Sequence, residues 1–277
     1  MGFFSLFKRS KIPVETPVCV TSNTTDNPNI SDSRNAREAY LQQITEKVTS
    51  DLLALPTYEI ELSQSTLKRQ LVSDLNEVKY SNITAKGKYP NFVAFDVETT
   101  GLSAGKDRII QLSAIRFVDG KATEKFDTFV NPQKPIPPEI TKINGITDDM
   151  VKGSPTIHEI LPAFDRFIGK SDLVSHNMDF DLKFIHVNGS QVITGKRRYF
   201  CTLLQSQKML KKPKQKWDKE FQEYVTDWDQ DYDVYDHKLD TLCDYFHIIL
   251  PKAHNSLYDA YAAGELFLKL IEEKQLY

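Results

Sequence analysis

The chain is poor in cysteine, in long apolar runs and in net charge, and each shortage removes a class of protein. Its three cysteines, Cys19, Cys201 and Cys243, are far apart and form no CxxC pair. Neither a disulfide framework nor a zinc site is implied, and a reducing, cytoplasmic setting fits. No apolar run approaches the roughly 20 residues that a membrane span requires. The net charge is −3, with 35 basic against 38 acidic side chains. A bulk basic field is therefore absent, and any hold on nucleic acid falls to a local patch or to metal ions. The apolar patch within residues 1–9 is too short for a signal peptide, and its charges follow rather than precede it. Leu6 occupies the position where a myristoylation motif at Gly2 needs Ser or Thr.

What is present is ordinary for a globular protein: 277 residues, 40% hydrophobic and 26% charged, enough for one sizeable domain and an extra segment. Residues 1–34, rich in Thr, Asn, Ser, Asp and Pro, are expected to be a disordered N-terminal segment. Residues 35–88 read as a helical extension. Tyr40, Ile44, Val48 and Leu52 recur every four residues until Pro56, and Leu67, Leu71, Leu75 and Val78 form a second stripe. The remainder, 89–277, reads as one α/β domain. Phe92 to Phe95 begin a buried strand, residues 109–118 and 126–130 form two more, and Asp119-Gly120 is a hairpin turn. A capping box at Thr156 and Glu159 opens a helix that Gly169 ends. Short strands near 173 and 199 alternate with helices near 180–186, 203–210, 238–247 and 256–274.

The most informative segment is Asp96-Val97-Glu98-Thr99-Thr100-Gly101. Two carboxylates two residues apart at the end of an apolar strand share one face of a sheet. Two anions on a half-buried face repel each other, and a divalent cation such as Mg²⁺ or Mn²⁺, which prefers hard oxygen ligands, resolves the conflict. The plain alternative is a solvated strand end with two surface acids. Gly101 lets the chain turn close to a ligand.

Two further blocks are Val174-Ser175-His176-Asn177-Met178-Asp179-Phe180-Asp181 and His254-Asn255-Ser256-Leu257-Tyr258-Asp259. In this order the three blocks resemble the DnaQ-like exonucleases with an Asp-Glu-Asp-Asp-His active site, a family that includes the proofreading subunit of bacterial DNA polymerase III. They match its DxETTG, HNxxFD and HxAxxD motifs, with Ser256 where Ala is usual. Residues 131–147 agree as well, with Asn144 in place of a His. Each match has a plainer reading on its own: Asp181 as a first-turn acid, Asp259 as part of a cap begun by Ser256, and His254 as a loop residue.

The resemblance implies a ribonuclease-H-like mixed sheet flanked by helices and a 3′→5′ exonuclease that releases nucleoside 5′-monophosphates. It implies two divalent metal ions, Mg²⁺ or Mn²⁺, on Asp96, Glu98, Asp181 and Asp259, with His254 as the base. Thr100, Gly101 and Leu102 would meet the terminal nucleotide, while His176 and Asn177 would brace the loop before Asp181. The substrate would be a single-stranded or frayed 3′ end of DNA in replication or repair. An RNA exonuclease of the same family, or an idle exonuclease-like scaffold, is the alternative. The N-terminal helices are candidates for docking a polymerase or repair partner.

Residues 211–236 depart from the family as an insertion. Trp217, Phe221, Tyr224 and Trp228 are spaced as one face of a helix, and Lys211, Lys212, Lys214 and Lys216 precede them. A substrate clamp is one reading; a helix burying its aromatic face on the domain is the favoured one, because large aromatics usually bury. The run Asp229-x-Asp231-x-Asp233 lacks both the Gly and the Glu of a calcium loop.

Overall fold

The computed structural model describes residues 28–62, 78–84, 86–89, 91–193 and 197–276. Strand β1 (Asn91–Thr99) is the centre of the molecule, and β2 (Ile109–Val118) and β3 (Lys121–Phe129) follow it as antiparallel neighbours. Asp119 and Gly120 join β2 to β3 with φ of +49° and +75°. Positive φ at both turn residues gives a twist that suits a right-handed hairpin, and an Asp-Gly pair adopts it readily. On the other side of β1, β4 (Asp172–Ser175) and β5 (Tyr199–Cys201) run parallel to it, giving the order β3-β2-β1-β4-β5.

Helices α1 (Pro28–Ala54), α2 (Pro138–Asn144), α3 (Asp148–Val151), α4 (Ile157–Ile168), α5 (Met178–Val187), α6 (Thr202–Met209), α7 (Leu239–Phe246) and α8 (Ser256–Leu276) complete the fold, with a hairpin β6 (Gln215–Asp218) and β7 (Glu223–Thr226). The capping box of α4 forms as the sequence implies: Thr156 N–H donates to Glu159 Oε2 at 2.7 Å. Period-two alternation divides the buried residues of β1. Val93, Phe95 and Val97 pack with Ile160, Leu161 and Phe164 of α4 and Leu182 of α5. Phe92 and Ala94 face the other way, onto Leu266, Phe267 and Leu270 of α8. Asp96 and Glu98 continue this second row, so the carboxylates lie on the α8 side. Among the described residues no helix is long and apolar enough to cross a membrane. Cys201 and Cys243 are buried and free.

The chain forms two compact units divided after Gln42, inside α1. The first contributes only helix among its described residues, from Pro28 onward. Residues 28–34 are therefore helical rather than part of a linker; Pro28 stands at the first helical position, where its missing N–H costs nothing. The stripe at Leu67, Leu71 and Leu75 lies outside the described residues, and residues 78–84 are not helical. In the second unit, the segment ahead of β1 covers both edges of the sheet. At β3, Tyr58 N–H donates to Lys125 O and Lys125 N–H to Pro56 O, at 2.7 and 2.9 Å. The Lys125 ammonium donates to Leu52 O and Leu53 O, at 3.1 and 2.6 Å, in the last turn of α1, where Leu52 O also accepts Leu55 N–H at 3.3 Å. At β5, Ser81 N–H donates to Tyr199 O at 2.8 Å. Open edges invite pairing with other chains, and these contacts occupy part of each.

The expected helix over the tryptophans is instead the hairpin β6–β7, with Trp217 opposite Tyr224. Asp218 Oδ1 accepts from Glu220 and Phe221 N–H at 2.8 and 3.1 Å, and this side-chain turn reverses the chain where a helix would have continued.

Helix α8 lies close against the sheet at Gly264, where a Cβ would sit 2.3 Å from the Phe117 ring. Gly264→Ala must push α8 off β2. A loss of about 1–3 kcal/mol is expected, visible as a melting temperature lower by several degrees; an unchanged melting curve would refute the close packing.

Candidate active site

The five residues singled out by the motifs converge on one cleft of about 760 Å³ at the C-terminal end of β1. In sheets with parallel strands, a crevice opens where neighbouring strands diverge. Here β1 and β4 pair only from Phe92 to Ala94, so the Val97 N–H lies beyond the last paired residue. Asp181, on the first turns of α5, fills that gap: its Oδ1 accepts from Val97 N–H at 3.2 Å, and its Oδ2 accepts from Ser175 Oγ at the tip of β4. Asp181 reaches the site from the α5 face of the sheet, whereas Asp259 comes from the α8 face.

Asp259 is held by its own helix start. Asn255 caps α8, its side-chain oxygen accepting Leu257 N–H at 3.2 Å, and Asp259 Oδ2 accepts Asn255 N–H at 3.2 Å. The cap is thus begun by Asn255 and not by Ser256. Ser256 points into the sheet, where its Oγ lies 2.5 Å from Ser113 Oγ and its N–H donates to Gln111 Oε1 at 3.3 Å. Ser113 and Gln111 are the direct cross-strand partners of Asp96 and Glu98. Both donate to Asp127 Oδ1, at 2.6 and 3.1 Å. A buried polar network beneath the two strand carboxylates therefore ties the start of α8 to the sheet, and Ser256 is one of its links.

His254 is exposed, with φ of +59°, in the loop ahead of α8. One ligand atom each of Glu98, His254 and Asp259 lie within 4.8 Å of one another. Glu98 Oε2 also accepts from Asn144 Nδ2 at 3.1 Å, while Asn144 Oδ1 accepts Ile146 N–H at 3.0 Å. That second bond fixes the amide so that its donor faces Glu98. Asn144 is buried at the end of α2. Sequence reasoning noted it only as a departure from a motif; its role depends on a fold contact across 46 positions.

The remaining expected residues fall in different places. Gly101 and Leu102 line the cleft, and Leu102 is 87% exposed on its rim. Thr100 is buried beneath the loop, its hydroxyl accepting Arg108 N–H at 3.0 Å, and it is not among the lining residues. His176 lines the cleft with Nδ1 2.9 Å from Thr202 Oγ1. Burial pushes its pKa down to about 4, so the ring is neutral near pH 7. Asn177 adopts φ of +66° before α5, a conformation that Asn tolerates better than most residues. Lys212, which the sequence offered as part of a possible substrate clamp, also lines the cleft, as do Asp236, His237 and Lys238, which no sequence signal assigned to it.

The electrostatics of the cluster are unbalanced. Burial, then Asp181, Asp259 and Glu98, hold Asp96 well above the usual carboxylate range. Burial likewise pushes Asp181 up to about 8, against hydrogen bonds that lower it, and Asp259 to about 7. Glu98 is also raised by burial, opposed by Asn144, His254 and Lys252. The hydrogen bonds come mainly from neutral donors, which orient carboxylates without neutralising them. Four carboxylates with this deficit line one cleft, and the Glu98, His254 and Asp259 ligand atoms lie close enough together to hold a divalent cation.

Two tests follow. The folded chain binds protons on Asp181 and Asp259 more tightly than the unfolded chain, whose carboxylates titrate near 3.8. Between about pH 4 and pH 8 the metal-free protein therefore loses stability as pH rises. Its melting temperature should fall from about pH 5.5 to about pH 8, and Mn²⁺ should raise it more at the higher pH because protons compete for the same oxygens. A cation effect independent of pH would contradict the charge deficit. Asn144→Ala should lower stability by about 1–3 kcal/mol, since Ile146 N–H and Glu98 both lose a buried partner; an unchanged melting temperature would dismiss the contact.

Comparisons with known proteins bear on the family and the fold. The exonuclease family model RNase_T matches residues 93–267. The chain is 37% identical over 185 residues to the PolC-type DNA polymerase III of Caldanaerobacter subterraneus subsp. tengcongensis, covering 66% of this chain and 12% of that protein. Against the Bacillus subtilis PolC-type polymerase the identity is 31% over 210 residues, covering 75% and 13%. The chain thus spans only about an eighth of the length of these relatives. Among solved structures, E. coli exonuclease I in complex with a dT13 oligonucleotide superposes with a TM-score of 0.51 at 16% identity, over 67% of this chain and 42% of that one. At that identity the likeness establishes the fold, the ribonuclease-H-like mixed sheet that the motifs implied. Exonucleases of this family depend on divalent metal ions. The family model runs from β1 into α8, across every strand and helix that borders the cleft, and the chain belongs to the RNase_T exonuclease family of DnaQ-like hydrolytic nucleases.

Proposed function

We propose that the chain is a metal-dependent 3′→5′ exonuclease that removes nucleoside 5′-monophosphates from single-stranded or frayed 3′ ends of DNA during replication or repair. The observation that carries this reading is the convergence of Asp96, Glu98, Asp181 and Asp259 with His254 in one open cleft. Asp96, Glu98, Asp181 and Asp259 would hold two Mg²⁺ or Mn²⁺ ions. When bound, the ions supply charge that stabilises the attacking and leaving oxygens of an in-line displacement. His254, exposed beside Glu98 and Asp259, accepts the proton of the attacking water on a ring nitrogen, and solvent access lets it discharge that proton.

Gly101 and Leu102 form the wall against which the terminal nucleotide would rest. Gly101 matters for space: a Cβ there would lie 2.6 Å from the Asp107 carboxylate, which accepts Ser103 N–H at 2.9 Å and closes the loop. Thr100 contributes from below by fixing Arg108. DNA is favoured over RNA because the relatives are DNA polymerases and exonuclease I was solved with a dT13 oligonucleotide. The length of those relatives is also the ground for expecting a polymerase or repair partner for the N-terminal helical segment. Residues 52–62, 78–84 and 86–89 contribute to the fold itself, so a truncation at residue 88 tests stability as much as docking.

The expected outcome is stepwise release of mononucleotides from a DNA 3′ end, dependent on Mg²⁺ or Mn²⁺, with slower release from an RNA oligonucleotide of matched sequence. His254→Ala should lower turnover by about 10²–10⁴-fold while metal-induced thermal stabilisation persists. Undiminished nuclease activity in purified Asp96→Ala/Glu98→Ala protein would overturn the assignment, and faster cleavage of RNA would move it to the ribonucleases.

A further inference from the structure

The insertion between α6 and α7 is built to stay exposed. Its two ends are anchored: Val234 is buried in the core, Lys211 N–H donates to Asp233 Oδ2 at 2.8 Å, and His237 Nε2 lies 3.2 Å from Leu210 O. The hairpin between them pairs with no strand of the main sheet. Yet it carries both tryptophans of the chain, and Trp217, Phe221, Tyr224 and Trp228 are 51–69% exposed. Large aromatics left in water on a short hairpin form an unpartnered apolar surface, the kind that marks an interaction site.

The register sorts the hairpin into two unlike faces. Trp217 and Tyr224 oppose each other, with ring centroids 5.1 Å apart, and Gln215 and Thr226 are the next pair on the same face. That face has no carboxylate. Asp218 and Glu223 lie on the other face, with Lys216 and Val225. The acids of the insertion are mostly engaged within it: Asp227 and Asp229 with Lys216, Asp218 with the turn amides, and Asp236 with Lys238 N–H and the Thr241 hydroxyl. No ion pair among the described residues engages Lys212 or Lys214, which lead into β6. Lys212 lines the active-site cleft, as do Asp236, His237 and Lys238 at the insertion's other end. The hairpin is therefore continuous with the wall of the cleft.

We propose that the β6–β7 hairpin is a stacking platform for single-stranded nucleic acid entering the cleft, with Trp217 and Tyr224 meeting bases and Lys212 and Lys214 meeting phosphates. Stacking on aromatic rings is indifferent to base identity, as an exonuclease that passes through any sequence requires. The inference rests on the exonuclease reading for its substrate, but binding can be measured without catalysis. A fluorescent dT20 oligonucleotide is titrated in EDTA into the full chain, into Trp217→Ala/Tyr224→Ala and into Trp217→Phe/Tyr224→Phe, after melting curves establish that all three fold. The alanine pair should weaken binding by roughly tenfold or more, and the phenylalanine pair should restore most of it. Equal affinity of the alanine pair and the unaltered protein would overturn the platform and leave the hairpin to a protein partner. Hydrolysis of the same oligonucleotide by the unaltered protein in Mn²⁺ is scored separately. Tight binding without hydrolysis would count against the exonuclease reading alone.

Discussion

Mutual repulsion of four carboxylates governs how the centre of this molecule is built. Asp96 and Glu98 share one face of β1, Asp181 arrives from α5 and Asp259 from α8. Left to themselves, such groups would separate into solvent. They are held together because both faces of the sheet are packed: α4 and α5 cover one, α8 the other, and Gly264 lets α8 lie against Phe117. The energy of apolar burial is what holds the anions together, and the upward displacement of Asp96, Asp181 and Asp259 records first the cost of burying them and then their repulsion. The site is thus a place where stability is given up for chemistry.

The supporting groups have a common character. Ser175, Asn144 and the Val97 amide donate hydrogen bonds to the carboxylates, and Gln111, Ser113, Asp127 and Ser256 form the floor. Nearly all are neutral. Neutral donors fix where each oxygen points but leave the summed negative charge intact, which preserves the affinity for a cation. A lysine or arginine inside the cluster would have removed the need for one. The basic side chains nearest Glu98, those of His254 and Lys252, are both exposed at its margin.

The segments outside the family pattern divide the labour differently. Residues 56–58 and Ser81 hydrogen-bond to the two outer strands of the sheet. The insertion is anchored by Val234 and Lys211 at its base, and the aromatic side chains beyond them remain in solvent. Its aromatic spacing of four, three and four suits a helix, yet the same spacing places Trp217 and Tyr224 opposite each other across a tight turn. The turn chemistry at Asp218 decided between them. Periodicity over a short polar stretch does not discriminate when local side-chain hydrogen bonds can reverse the chain.

From sequence alone, Asp96 and Glu98 were legible as a pair on one sheet face, because period-two alternation is a local property of a strand. The Asp119-Gly120 turn and the Thr156–Glu159 capping box were legible for the same reason: neighbouring residues make the bonds. Asp181, His254 and Asp259 entered through motif likeness, since nothing local distinguishes a site acid from a helix-start acid. Tertiary structure decided the rest. It placed the Val97 amide beyond the end of β4, where Asp181 could take it, and gave Asn144 its donor role toward Glu98. It also turned Ser256 into the sheet, to bond Ser113 across 143 positions. Those contacts join segments far apart in the chain, and packing geometry determines them.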